Sequence, residues 1–174
     1  MLRRVAVLFA ALAGVALAPV AVAGASPADA DVACDTNWGT GDRDLWGGAA
    51  EGALTGVQAG RHECFDRLVL DLGAADAAGF HVGYRDELGH IAKDQVLPLR
   101  GDGTLVVLVD VPGQGYQPVN PVEVVDVTGY RTFQQVRWAG SFEGQVKLGI
   151  GTPTELPFRV TSGDGKLVVD VAHS

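Results

Sequence analysis

The sequence predicts an all-β protein: an antiparallel β-sandwich or flattened barrel of about 8–10 short strands. Three observations predict it. Beyond residue 52, apolar residues alternate with polar ones at a period of two. The alternating runs are short and are bounded by Gly, Pro, Asn or Asp. No stretch carries the 3.6-residue apolar repeat of an amphipathic helix, and Asp76-Ala77-Ala78 adds at most one helical turn.

The chain divides into three parts. Met1-Leu2-Arg3-Arg4 is basic, Val5 to Ala18 is apolar, and Pro19 with Ala21-Val22-Ala23 follows. That order is the signature of a secretory signal peptide cleaved after Ala23, with Ala25 as the second choice. The apolar run falls short of the ~20 residues of a membrane-spanning helix. Cys34 follows acidic residues well past that run, which argues against a lipid-attachment site. Residues 1–23 are thus expected to be a leader, 24–51 a Gly- and Trp-containing segment, and 52–174 the β domain.

Charge excludes two partner classes. The 174 residues hold 13 basic and 21 acidic side chains, a net −8. Loss of Arg3 and Arg4 with the leader deepens this to −10. An acidic chain without a Lys/Arg cluster is repelled by nucleic acid and by anionic membrane surfaces, and it is expected to be a monomer.

Two cysteines, Cys34 and Cys64, lie in the exported part. An even count in an oxidising compartment predicts one disulfide. Closing a loop of about 30 residues contributes roughly 3–4 kcal/mol in the chain-entropy model. Between the cysteines, the Asp- and Asn-rich run from Asp35 superficially resembles a calcium loop. Gly39 and Gly41 occupy ligand positions, however, and the twelfth residue is Trp46 where a bidentate Glu is needed. Trp38 and Trp46 either plug the core beneath the disulfide or offer a stacking platform to a sugar ring or a partner's side chain.

Ten strands are predicted: 54–58, 65–72, 80–85, 95–99, 104–111, 122–127, 132–138, 144–148, 158–161 and 166–172. Gly101-Asp102-Gly103 and Gly163-Asp164-Gly165 read as hairpin turns. Residues 112–121 form a Pro- and Gly-rich loop centred on Tyr116. The pivotal strands are 65–72 and 166–172. In the first, Leu68, Leu70 and Leu72 share one face while Arg67, Val69 and Asp71 share the other. In the second, Lys166, Val168 and Asp170 stand opposite Leu167, Val169 and Val171. As antiparallel neighbours, the two would set Arg67 across from Asp170 and Lys166 across from Asp71. Such pairs contribute roughly 0.2–1 kcal/mol each, chiefly by holding register.

Catalytic text is sparse. Ser141 lacks the glycine spacing of a nucleophile elbow, and His62, His81, His90 and His173 are dispersed without metal-ligand spacing. Leu148-Gly149-Ile150-Gly151 is not followed by the helix that a phosphate-cradling loop requires. Glu143, ahead of a strand, is the one carboxylate to weigh for a hydrolytic pair, against its reading as a turn residue. The chain is therefore read as non-catalytic, with no cofactor and no metal site.

With these residues laid out, the sequence resembles the AMIN-like domain of exported actinobacterial proteins, and more distantly the AMIN domain. The resemblance rests on Asp66-Arg67-Leu68-Val69-Leu70-Asp71-Leu72, Gly79-Phe80-His81-Val82-Gly83-Tyr84, the run from Gly140 to Gly151, Pro157-Phe158-Arg159-Val160 and Leu167-Val168-Val169-Asp170-Val171. Where the family commonly has Pro-Arg before the last Val-Val-Asp, this chain has Ser162-Gly163-Asp164-Gly165-Lys166. The resemblance implies a β-sandwich with approximate internal symmetry that recognises the cell wall. The expected partner is a glycan or peptide part of peptidoglycan, bound through the aromatic set Trp38, Trp46, Tyr84, Tyr116 and Trp138. The alternative is an interaction module or inhibitor that engages an exported protein through the Tyr116 loop or a sheet edge.

Overall fold

The computed structural model describes residues 34–47, 52–73, 78–112 and 116–174. The leader at 1–23, Asp76 and Ala77 of the expected helical turn, and residues 113–115 of the Tyr116 loop lie outside the described residues.

Two open antiparallel sheets pack face to face. One has the order β1-β4-β7-β9-β8 and the other β10-β11-β3-β2. The first comprises β1 (Arg43–Leu45), β4 (Phe80–Tyr84), β7 (Gly103–Val109), β9 (Gln145–Thr152) and β8 (Gln135–Phe142). The second comprises β10 (Phe158–Gly163), β11 (Lys166–Ala172), β3 (Phe65–Asp71) and β2 (Gly56–Arg61). A two-stranded ribbon, β5 (Leu88–Gly89) with β6 (Val96–Leu97), completes the set. Neither sheet closes on itself or on the other, so the molecule is a sandwich and not a flattened barrel.

Alternation builds the core. Leu68 and Leu70 of β3 and Leu167, Val169 and Val171 of β11 meet Val82, Leu105, Val107, Val109, Val146, Leu148 and Ile150 of the facing sheet, all fully buried. Each such side chain removed from water is worth about 1.5–3 kcal/mol. On the outer face, the β11–β3 register sets Arg67 opposite Asp170 and Lys166 opposite Asp71. Arg67 grips Asp170 with Nε at 2.6 Å and Nη2 at 2.9 Å, and Arg159 of β10 adds a third bond at 2.9 Å. Asp71 and Lys166 make no such contact. The Asp71 carboxylate accepts the Gly73 N–H at 3.1 Å, and this bond leads the effects that hold it below the usual carboxylate range.

Several expected elements differ. Residues 122–127 form no strand, because the Asn120 side chain captures the Val122 and Glu123 amides and bends the chain. The strand expected from 132 begins at Gln135, since the Thr132 and Phe133 amides donate to the Asp66 carboxylate in place of a sheet ladder. Gly101-Asp102-Gly103 passes the chain from β6 to β7, which are not paired, so it is not a hairpin. The β8–β9 hairpin instead turns at Glu143-Gly144 (φ 49° and 79°), as β10–β11 does at Asp164-Gly165 (φ 51° and 71°). Positive φ at both central residues matches the twist of the strands. Strands β1 and β5 were not foreseen; both are too short to show alternation.

A groove on the outer face of the five-stranded sheet

The outward side chains of the five-stranded sheet lie in rows fixed by register. One row crosses all five strands: Asp44, His81, Leu108, Lys147 and Gly140. The next contains Gly83, Val106, Gly149 and Arg137. The β5–β6 ribbon lies across part of this face. Leu88 and Leu97 pack on Val106 and Ala139, and the Ile91 N–H donates to the Ala139 carbonyl at 2.9 Å. Glycines make the approach possible. A Cβ at Gly149 would stand 2.6 Å from Leu88 Cδ2, and one at Gly140 would stand 2.8 Å from Ile91 Cγ2.

The uncovered part of the face is a groove. A cavity of about 420 Å³ beside the ribbon is lined by His81, Arg85, Asp86, Glu87, Gly89, Val106, Leu108 and Lys147. It adjoins one of about 300 Å³ lined by Trp46, Phe80, Asp110 and Gln145, with His81 and Leu108 shared between them. Trp46 follows β1 and is 83 % exposed. Phe142, half-exposed, is paired with Gln145 across the sheet.

Polar groups in the groove are held in place. Arg85 makes a two-pronged pair with Asp42, Nη1 at 3.0 Å and Nη2 at 3.1 Å, which holds the Asp42 carboxyl below its usual range. A Cβ at Gly83 would collide with that carboxylate. Arg85 also contacts His81 Nε2, while His81 Nδ1 contacts Asp44. Gln145 Nε2 donates to Asp110 Oδ1 at 2.7 Å. Among the described residues no group of three His, Cys, Asp or Glu is arranged to hold a metal ion. Glu143 sits exposed at the tip of the β8–β9 hairpin.

The five aromatic residues expected to bind ligand are not brought together; only Trp46 lines the groove. Tyr84 is a correction: it is buried in the core, its hydroxyl donating to the Leu156 carbonyl at 3.0 Å and accepting the Leu156 N–H at 2.9 Å. Burial raises its pKa above the ordinary phenol value. Tyr116 and Trp138, half-buried, pack on the core with ring centroids 5.6 Å apart, so neither offers a free platform. Trp38 lies by the other sheet, with the Arg159 guanidinium 4.4 Å above its ring and Phe65 edge-on at 5.8 Å. Cys34 and Cys64 form a disulfide with Cα atoms 5.5 Å apart, tying the Trp38 segment to the start of β3. None of the groove residues His81, Arg85, Leu108 and Lys147 is among the ligand-binding residues expected from the sequence. The available signal was the glycine alternation of β9, Gly149 and Gly151 on the face opposite Leu148 and Ile150.

The family model of the AMIN-like domain matches residues 52–173. The chain belongs to the AMIN-like domain family. This membership marks a cell-wall-associated binding module of non-catalytic type, and the disulfide fits an extracellular or envelope location. No curated protein and no solved structure matches the chain. The matched region includes every strand of both sheets except β1, which adds Trp46 and the Asp42 and Asp44 partners to the groove from outside it.

Proposed function

We propose that this AMIN-like protein is exported by its leader and binds the glycan strands of peptidoglycan in the groove of the five-stranded sheet. The observation that carries the reading is Trp46, whose ring stands 83 % exposed at one end of the groove. Sugar rings present apolar C–H faces to such a ring and polar edges to flanking side chains. Leu108 and Val106 supply an apolar floor; His81, Arg85, Lys147, Gln145 and Asp110 supply donors and acceptors for hydroxyl and acetamido groups. The clamped Arg85–Asp42 and His81–Asp44 contacts set those groups before a ligand arrives, which limits the ordering cost of binding.

The test is co-sedimentation of the oxidised protein with purified peptidoglycan stripped of proteins and anionic polymers. Binding should saturate and survive moderate salt. Trp46→Ala should weaken it about tenfold, the loss of roughly 1.4 kcal/mol of stacking, with the melting temperature unchanged. Equal retention of the variant and the parent would remove Trp46 and this groove from the reading.

A further inference from the structure

We propose that a second cavity, at the Asp66 end of β3, is an oxyanion site that takes a carboxylate or phosphate group. It has a volume of about 210 Å³ and is lined by Arg61, His62, Asp66, Gly129, Arg131 and His173. No residue is shared with the groove, and the inference stands without the wall-binding reading.

The charge balance of the lining points to an anion. Asp66 is its one carboxylate, and that charge is already engaged. Oδ2 accepts the Thr132 N–H at 2.6 Å and the Phe133 N–H at 3.0 Å, while Oδ1 faces His173 Nε2 at 3.2 Å. What faces the cavity beyond Asp66 is two guanidinium groups and the imidazoles of His62 and His173, in a chain whose net charge is −8. Elsewhere Arg67 and Arg159 pair with Asp170, Arg85 with Asp42 and Arg100 with Glu123. Arg43 and Arg137 lack a carboxylate but donate to backbone carbonyls at 3.2 Å or less, whereas Arg61 and Arg131 have neither such a carboxylate nor such a close carbonyl among the described residues. Arg61 makes one long bond, 3.4 Å to the Gly129 carbonyl, and leaves most of its donors unused. Planar guanidinium forks match carboxylate and phosphate oxygens two at a time.

The walls are fixed in advance. The Arg61 guanidinium carbon stands 5.9 Å from the centre of the Tyr130 ring, and His62 stacks on Phe65 at 4.5 Å. His173 is held between Asp66 and the Glu63 carbonyl, 3.0 Å from Nδ1. The turn carrying Gly129 is closed by the Tyr130 N–H on the Val127 carbonyl at 3.1 Å, and Asp66 pins the two residues after Arg131. The ordering left to a ligand is that of the Arg61 and Arg131 forks.

Calorimetric titration of the oxidised protein with inorganic phosphate, and separately with N-acetylglycine, at constant ionic strength tests the site. At least one anion should bind saturably, and the Arg61→Gln/Arg131→Gln double variant should weaken it tenfold or more. Arg131→Gln alone, in a side chain with no hydrogen bond among the described residues, should weaken binding while keeping the parent melting temperature. Trp46→Ala should bind the anion as the parent does, which separates this site from the groove. The tighter of the two probes assigns the ligand to the phosphate or the carboxylate class. Saturation by neither anion, or undiminished binding in the double variant, overturns the proposal.

Discussion

Replacing Asp66 by alanine should be among the most damaging single changes in the chain. Asp66 is fully buried on the core face of β3, and so are Thr132 and, at 2 % exposure, Phe133. Its Oδ2 atom accepts both of their amides, at 2.6 and 3.0 Å. Alanine leaves two buried N–H groups without their carboxylate acceptor, each costing about 1–3 kcal/mol. The expected loss is therefore about 2–6 kcal/mol, out of the 5–15 kcal/mol typical of a domain. Asparagine is the informative control. Its amide oxygen keeps both amides satisfied and its NH₂ turns to His173, so only the charge assistance is lost, about 1–2 kcal/mol. Denaturant unfolding with the disulfide intact measures both, and heating should show the alanine variant melting roughly 10 °C lower, at about 2–4 °C per kcal/mol. An alanine variant within 1 kcal/mol of the parent, or an asparagine variant as damaged as the alanine one, would refute the satisfied-amide account.

Gly149→Ala should cost about 1–3 kcal/mol, because its Cβ would stand 2.6 Å from a Leu88 side chain that is itself buried between the ribbon and the sheet. Faster amide exchange at His90, whose N–H donates to Gln95 across the ribbon, would locate the damage, and unchanged exchange would contradict it. His90 sets an acid limb on stability. Burial first, then Lys93 and Lys147, push its pKa below 6.5, and its Nδ1 accepts the Ala92 N–H at 3.1 Å only while unprotonated. The unfolded chain then takes up a proton that the folded one refuses, so this contribution is complete above pH 6.5 and lost as pH falls through the folded pKa. An NMR midpoint for His90 below 6.5, and a melting temperature that falls less between pH 7.5 and 5.5 in His90→Gln, would match; a midpoint above 6.5 would reverse the sign.

What could be read in the chain is what local period and charge order determine. Alternation placed Leu68, Leu70, Leu167 and Val169 on inward faces because successive strand residues point to opposite sides. Once β3 and β11 are antiparallel neighbours, the order cation, valine, aspartate in each leaves one register in which both charge pairs align. Asp164-Gly165 was legible as a turn because positive φ favours few residue types. Glu143, with the same backbone, reads as a turn residue only from its place ahead of a strand, since glutamate gives no turn signal of its own.

Tertiary structure decided the rest. Alternation alone puts Asp66 inward, yet its hydrogen-bond partners lie 66 to 107 residues away, and no local pattern encodes them. Trp46 and Tyr84 were indistinguishable as aromatics; one stands beyond a three-residue edge strand in water, the other under the opposite sheet with its hydroxyl on Leu156. The groove joins β1, β4, β7 and β9 with the overlying ribbon, and it exists because Gly140 and Gly149 let that ribbon settle on part of the face. Strand and face follow from the spacing of neighbours along the chain. Exposure, charge partners and cavities follow from which distant strands come to lie side by side, and that is set by packing the whole core at once.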